Sequence, residues 1–154
     1  MTVRYYDASG SFEEWSGAVT YPDISKNTLI YQQGEIVCEH ERIKPAAVLK
    51  APDGKTIIDF GQNIAGYVEF SVDAEDGDEV KFSCAEVLDK NGDIYTENYR
   101  SAKSEIKYIC RKGVQTYKPH FTFSGFRYIK LDNYPCSVEP DNFTAVALYS
   151  NMER

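Results

Sequence analysis

The stretch Gly66–Asp73, GYVEFSVD, decides the fold class. Val68, Phe70 and Val72 fall on one side of an extended chain, while Tyr67, Glu69 and Ser71 fall on the other. A period of two residues is the mark of a strand with one face in a core. The pattern recurs in both directions. DEVKFSCAEV sets Val80, Phe82 and Cys84 against Lys81 and Ser83, and IKYIC groups Ile106, Tyr108 and Cys110. FRYIKL alternates Phe126, Tyr128 and Lys130 with Arg127, Ile129 and Leu131. FTAVALY, at 143–149, is apolar on nearly every position, as a strand flanked on both sides would be.

Turn chemistry separates these runs: APDGK at 51–55, EDGD at 75–78, KNGD at 90–93 and RKG at 111–113. Twelve tyrosines and eight phenylalanines add to the strand preference. The expected architecture is all-β, an antiparallel β-sandwich or jelly roll with at most one or two short helical turns. One such turn is expected in SFEEWSG, where Ser11 and Glu14 have capping-box spacing and Gly17 is a stop. NYRSAKSEIKY also fits a helical stripe through Tyr99, Ala102 and Ile106, but its neighbours favour an extended reading.

Residues 1–33 keep no sustained period and read as a connector or a remnant of an upstream domain. The sandwich is expected over 34–150.

Length and charge narrow the function classes. A chain of 154 residues suffices to bury roughly 68–70% of its unfolded surface as one domain. A net charge of −7 without a basic stripe argues against a nucleic-acid partner. The apolar runs fall far short of the ~20 residues of a membrane helix. Cys38, Cys84, Cys110 and Cys136 contain no C-x-x-C pair, so neither a metal site nor another cofactor is expected. Reduced, partly buried thiols point to a cytoplasmic protein.

The polar stretch DKNGDIYTENYR, Asp89–Arg100, invites a calcium reading, and fails it. Counted from Asp89, the glycine falls at position 4 instead of 6, and position 12 is Arg100 instead of a bidentate glutamate. Asn91-Gly92 instead reads as a hairpin tip of type I′. Glu86, Asp93 and Glu97 could converge across that hairpin as glycosidase carboxylates. His40, in CEHER, reads as exposed, and His120, in YKPHFTF, as packed and hydrogen-bonded. Gln62, Asn63, Tyr95, Glu97, Asn98 and Arg100 have the polar and aromatic mixture that reads sugars. The competing reading of Gln62-Asn63 is a turn between two strands, flanked by Gly61 and Gly66.

Three stretches together resemble one family. DFGQNIAGYVEF (59–70), AEVLDKNGDIYTENYRSAK (85–103) and YKPHFTFSGFRYIKLDNYP (117–135) are similar to the β-sandwich, concanavalin-like domain that precedes the catalytic barrel of bacterial α-L-rhamnosidases. GEIVCEHERIKPAAV (34–48) and VALYSNMER (146–154) resemble that domain's edges, so the likeness runs over roughly 22–154. It implies a multidomain glycoside hydrolase that releases terminal L-rhamnose with inversion. The acid and base would lie in an (α/α)6 barrel, to which residues 151–154 would open the linker, so no catalytic residue carries over to this chain. The resemblance therefore implies a non-catalytic domain packed on the catalytic and upstream domains. A module binding rhamnose-containing glycans is the second reading, and a self-sufficient glycosidase using Glu86 and Glu97 the third.

Overall fold

The computed structural model describes residues 4–8, 17, 19–20, 25, 27 and 29–152. The helical turn expected over 11–17 lies outside them, Gly17 apart. Nine strands are described: β1 (Arg4–Asp7), β2 (Val37–Ile43), β3 (Ala47–Lys50), β4 (Thr56–Ala74), β5 (Glu79–Ala85), β6 (Glu105–Ile109), β7 (Gly113–Tyr117), β8 (Ser124–Asn133) and β9 (Phe143–Ser150). They pair in the order β1-β6-β5-β8-β4-β9-β2, and β3 and β7 add to β4. Every pairing is antiparallel except β1 with β6, which is parallel. No α-helix occurs among the described residues; short 3₁₀ turns stand at Glu97–Tyr99 and Pro140–Asn142.

The all-β expectation holds, and β4 explains how one sheet makes a sandwich. It is 19 residues long, several times an ordinary strand. Gly66 pairs with Ser124 of β8 and with Ala147 of β9, so those strands lie on opposite edges of β4. Phe70 likewise pairs with Tyr117 of β7 and Phe143 of β9. One edge of β4 thus carries β3 and then β9, and the other carries β8 and then β7.

The sheet also curls over. In a flat sheet β4 and β6, three strand steps apart, would be separated by roughly 14 Å. The Phe70 and Tyr108 ring centroids are 5.5 Å apart, edge to face. Phe70 meets Phe82 at 5.9 Å in the same way, and Tyr108 meets Tyr117 at 4.6 Å.

The alternation seen in GYVEFSVD is the core itself. Val68, Phe70, Val72, Val80, Phe82, Cys84, Tyr108 and Cys110 are all buried. Burying each large side chain fully stabilises by roughly 1.5–3 kcal/mol. The Tyr108 hydroxyl is not wasted: it donates to Gln115 Oε1 at 2.8 Å, and the Gln115 amide donates to the Arg111 and Gly113 carbonyls. Burial pushes the Cys84 thiol up to about 12 and the Cys110 thiol up to about 11, so both stay protonated at neutral pH. Residues 143–147 of β9 are all buried, as a strand between β2 and β4 must be. FRYIKL departs from strict alternation: Ile129, Lys130 and Leu131 are consecutive and all buried. Both faces of β8 are covered there, one by the core and one by turns that Lys130 holds.

β4 and β9 cross at very close range. A Cβ on Gly66 would stand 1.9 Å from the Val146 carbonyl oxygen, which no side-chain adjustment relieves. Gly66→Ala should therefore cost about 3 kcal/mol or more, or prevent folding. Gly34→Ala, where an added Cβ meets nothing within 4 Å, should shift stability by less than about 0.5 kcal/mol. Urea denaturation midpoints of the two variants check the difference.

Candidate functional site

The sequence reading of GQNIAG as a turn between two strands is corrected by the structure: these residues lie inside β4. Asp59 pairs with Tyr128, and Ile64 with Phe126. β4 therefore advances five residues while β8 advances two, and three extra residues bulge out. Gly61 takes φ +83° there, a left-handed conformation costly for other residues. Bulges re-aim side chains and bend strands. Here the bend lets β4 serve both layers, and Gln62 and Asn63 are turned out to solvent.

One buried carboxylate holds the bulge. Asp59 Oδ1 accepts the Gly61 N–H at 2.6 Å and Arg127 Nε at 2.8 Å, while Oδ2 accepts Arg127 Nη2 at 2.8 Å. The Ala46 N–H donates to the Asp59 carbonyl at 2.7 Å. This is a two-pronged guanidinium–carboxylate pair, stronger than a neutral hydrogen bond. The Arg127 guanidinium lies 5.0 Å from the Tyr128 ring centroid. The Arg127 hydrogen bonds lower the Asp59 pKa; burial opposes them, and the Gly61 N–H adds to the lowering.

The predicted site residues do not form a single cluster. Glu86 gathers two of them: Asn63 Nδ2 donates to its Oε1 and Asn98 Nδ2 to its Oε2, each at 3.4 Å. Tyr95 and Glu97 form a separate pair, with the Tyr95 hydroxyl 3.2 Å from Glu97 Oε2. The Gln62 side chain hydrogen-bonds to no other described residue. Arg100 is exposed at φ +55° on the 3₁₀ turn, and its guanidinium pairs with none of the described residues. That turn corrects the extended reading of this stretch: Glu97–Tyr99 is 3₁₀, and the strand resumes only at Glu105.

The hairpin at the head of this segment exists, but with a different turn. Asp89 N–H donates to the Asp93 carbonyl at 2.7 Å and Gly92 N–H to the Asp89 carbonyl at 3.1 Å, leaving a three-residue loop. Gly92 has φ +85°, but Asn91 is not in the positive-φ region that type I′ requires. The Asp89 side chain explains the choice. Its Oδ1 accepts the N–H groups of Asn91 at 2.8 Å and Asp93 at 2.9 Å, capping the turn from inside.

Asp93 is committed elsewhere. Lys130 Nζ donates to both of its oxygens, at 2.7 and 2.8 Å, and meets Asp53 Oδ2 at 2.8 Å. Burial works to lower the Lys130 pKa, but the hydrogen bonds to Asp53 and Asp93 outweigh it and the net shift is upward. The three carboxylates considered for glycoside cleavage thus face three different partners: Glu86 two amides, Asp93 a lysine, Glu97 a phenol.

Sequence reasoning missed four participants. Tyr99 is half-buried, its hydroxyl 3.4 Å from the Gly125 carbonyl; burial first, and then the Glu86 charge, push it up to about 12. Glu41, Leu148 and Tyr149 join Gln62 and Asn63 around an open groove of about 290 Å³. Tyr149 is held from two sides. His40 stacks on it at 3.6 Å and 3°, and its hydroxyl donates to Glu41 Oε1 at 2.8 Å. His40 is consequently half-buried instead of exposed, and His120 is exposed instead of packed. The only sequence signal for this wall was the alternation in CEHER and FTAVALY, which sets neither register nor partner.

The curled, almost wholly antiparallel sheet makes this a β-sandwich domain. The sequence model of the bacterial alpha-L-rhamnosidase concanavalin-like domain matches residues 49–149, and the chain belongs to that family. An alpha-L-rhamnosidase of Streptomyces avermitilis is 36% identical over 109 residues, 70% of this chain and 11% of that protein. One from Formosa agariphila is 32% identical over 99% of this chain and 16% of its own length. In the crystal structure of native alpha-L-rhamnosidase from Aspergillus terreus, the similar region has a TM-score of 0.76 and 30% identity, covering 97% of this chain and 19% of that one. The chain thus spans less than a fifth of each of these relatives.

The lowered Asp59 pKa has a defined pH signature. Its stabilisation is complete above the unfolded value near 3.9 and is lost as pH falls from there through the lower folded value. Glu39, Asp53 and Asp89 are lowered too, chiefly by Lys118, by Lys130 and by the Asp93 N–H respectively. Asp59→Asn should therefore destabilise by about 1–2 kcal/mol at pH 7 and flatten, without abolishing, the fall in Tm between about pH 5 and pH 3. A Tm series across that interval reads both effects.

Proposed function

We propose that this chain is a non-catalytic accessory domain of an α-L-rhamnosidase, packed against other parts of the same polypeptide. The observation that carries the reading is its span: nearly the whole chain corresponds to 16% of one relative's length. The activity named for that relative is thereby assigned to a protein of which this domain is a small part.

Two features of the surface support it. The loop between β7 and β8 exposes Phe121 at 96% and Phe123 at 59%, large apolar groups of the kind that mark contact surfaces. Phe121 also holds φ +55°, an uncommon and strained conformation for a bulky residue. One of the two candidate carboxylates points the same way. Glu97 is exposed, whereas a proton-donating carboxyl needs apolar surroundings that raise its pKa.

This chain is accordingly expected to hydrolyse an aryl α-L-rhamnoside no faster than buffer does. Turnover that vanished in Glu86→Gln or Glu97→Gln would overturn the assignment and make the chain a self-sufficient glycosidase. The loop gives an independent check. Phe121→Gly should leave the Tm of this chain unchanged or raised, because glycine accepts the positive φ. In a polypeptide that also carries the catalytic domain it should lower the Tm of that polypeptide. An equal fall in both contexts would show that Phe121 serves the fold and not a contact.

A further inference from the structure

The β4 bulge turns two amides into the groove between β4 and β9. The Gln62 amide hydrogen-bonds to no other described residue, and Asn63 spends one N–H on Glu86. Ile64, Ala65, Ala147 and Leu148 give the groove an apolar lining. Tyr149 gives it an aromatic wall whose orientation is set in advance by the His40 stack and the hydroxyl bond to Glu41. We infer that this groove is a shallow binding site for one neutral pyranose ring.

The chemistry of the lining selects that class. A pyranose offers C–H groups to an apolar or aromatic wall and hydroxyls to amides and carboxylates at its edge. About 290 Å³ lies at the lower end of the range for small-molecule sites, which suits a single ring better than an extended chain. Glu41 in the wall and Glu86 behind Asn63 set a negative field that disfavours anionic sugars. The site is open to water, so its few hydrogen bonds replace bonds to solvent and the affinity is low. The inference is separate from the accessory-domain reading, since a domain that only packs on its neighbours needs no sugar.

Titration of this chain with L-rhamnose, D-glucose and D-glucuronate, followed by NMR of backbone and side-chain amides, tests it. Saturable shifts at the Gln62 and Asn63 side-chain amides and at Leu148 and Tyr149 are expected with at least one neutral sugar, with Kd about 1–10 mM. Gln62→Ala, at an exposed position, should leave the remaining spectrum unchanged and weaken binding about tenfold. Tyr149→Phe should weaken it less, because the ring and its stack remain. Glucuronate should bind more weakly than either neutral sugar. Three results would each overturn the site: no saturable shift with either neutral sugar up to about 50 mM, shifts that persist unchanged in Gln62→Ala, or glucuronate binding as tight as neutral binding. None of these outcomes bears on rhamnoside turnover, so the two readings fail independently.

Discussion

The structure depends on the fork between Asp59 and Arg127. A strand of 19 residues cannot stay straight and pair with β3, β7, β8 and β9 across two layers; it must bend, and the bend interrupts its own ladder. Three extra residues leave backbone groups outside the ladder, and each must be met by water or by another polar group. Asp59 meets that demand by taking the Gly61 N–H with the same oxygen that receives Arg127 Nε. The guanidinium comes from β8, the strand whose register slips at the bulge. The pair therefore fixes the slip as well as the charge, and everything on the outer side of the bulge inherits its position.

The core was legible in the sequence because it depends only on alternation. Val68, Phe70 and Val72 announce their face wherever β4 happens to run. The acidic turns at 51–55 and 75–78 were legible for a similar reason, since their hydrogen bonds are local. GQNIAG was misread because a bulge and a turn use the same residues; what separates them is whether the partner strand continues, and that partner is β8, some sixty residues away. The hairpin tip was identified but its type was not. Asn91-Gly92 favours type I′ in isolation, and the Asp89 carboxylate, by accepting two N–H groups inside the loop, favours a three-residue form. His120 was expected among the aromatics around it, yet the loop that carries it turns outward with Phe121.

Lys130 shows the same limit from the other side. Alternation places it with Phe126 and Tyr128, and nothing local marks it as buried. It is buried because two distant turns bring Asp53 and Asp93 to one ammonium group. Removing such a charge from water is unfavourable unless paired hydrogen bonds replace its hydration. Two carboxylates converging on one cation do so, and at the same time dock the 51–55 turn and the 89–93 hairpin onto β8. Acidity in this chain is thus partly structural: several of the residues that make the net charge negative have cationic or backbone N–H partners, and the turns they cap are held to the sheet by those partners.

The same accounting bears on function. Groups that are fully engaged, such as Asp59, Asp93 and Lys130, set geometry and have no capacity left for a ligand. The groups with capacity to spare lie on the outer side of the bulge and in the loop before β8: the Gln62 amide, one N–H of Asn63 and the exposed Phe123 ring. Tyr99 and Ser104 tie the segment after the hairpin to the start of β8, through the Gly125 carbonyl and the Ser124 hydroxyl. The frame that holds the bulge is internally satisfied, and the proposed pyranose site uses the amides that it leaves over.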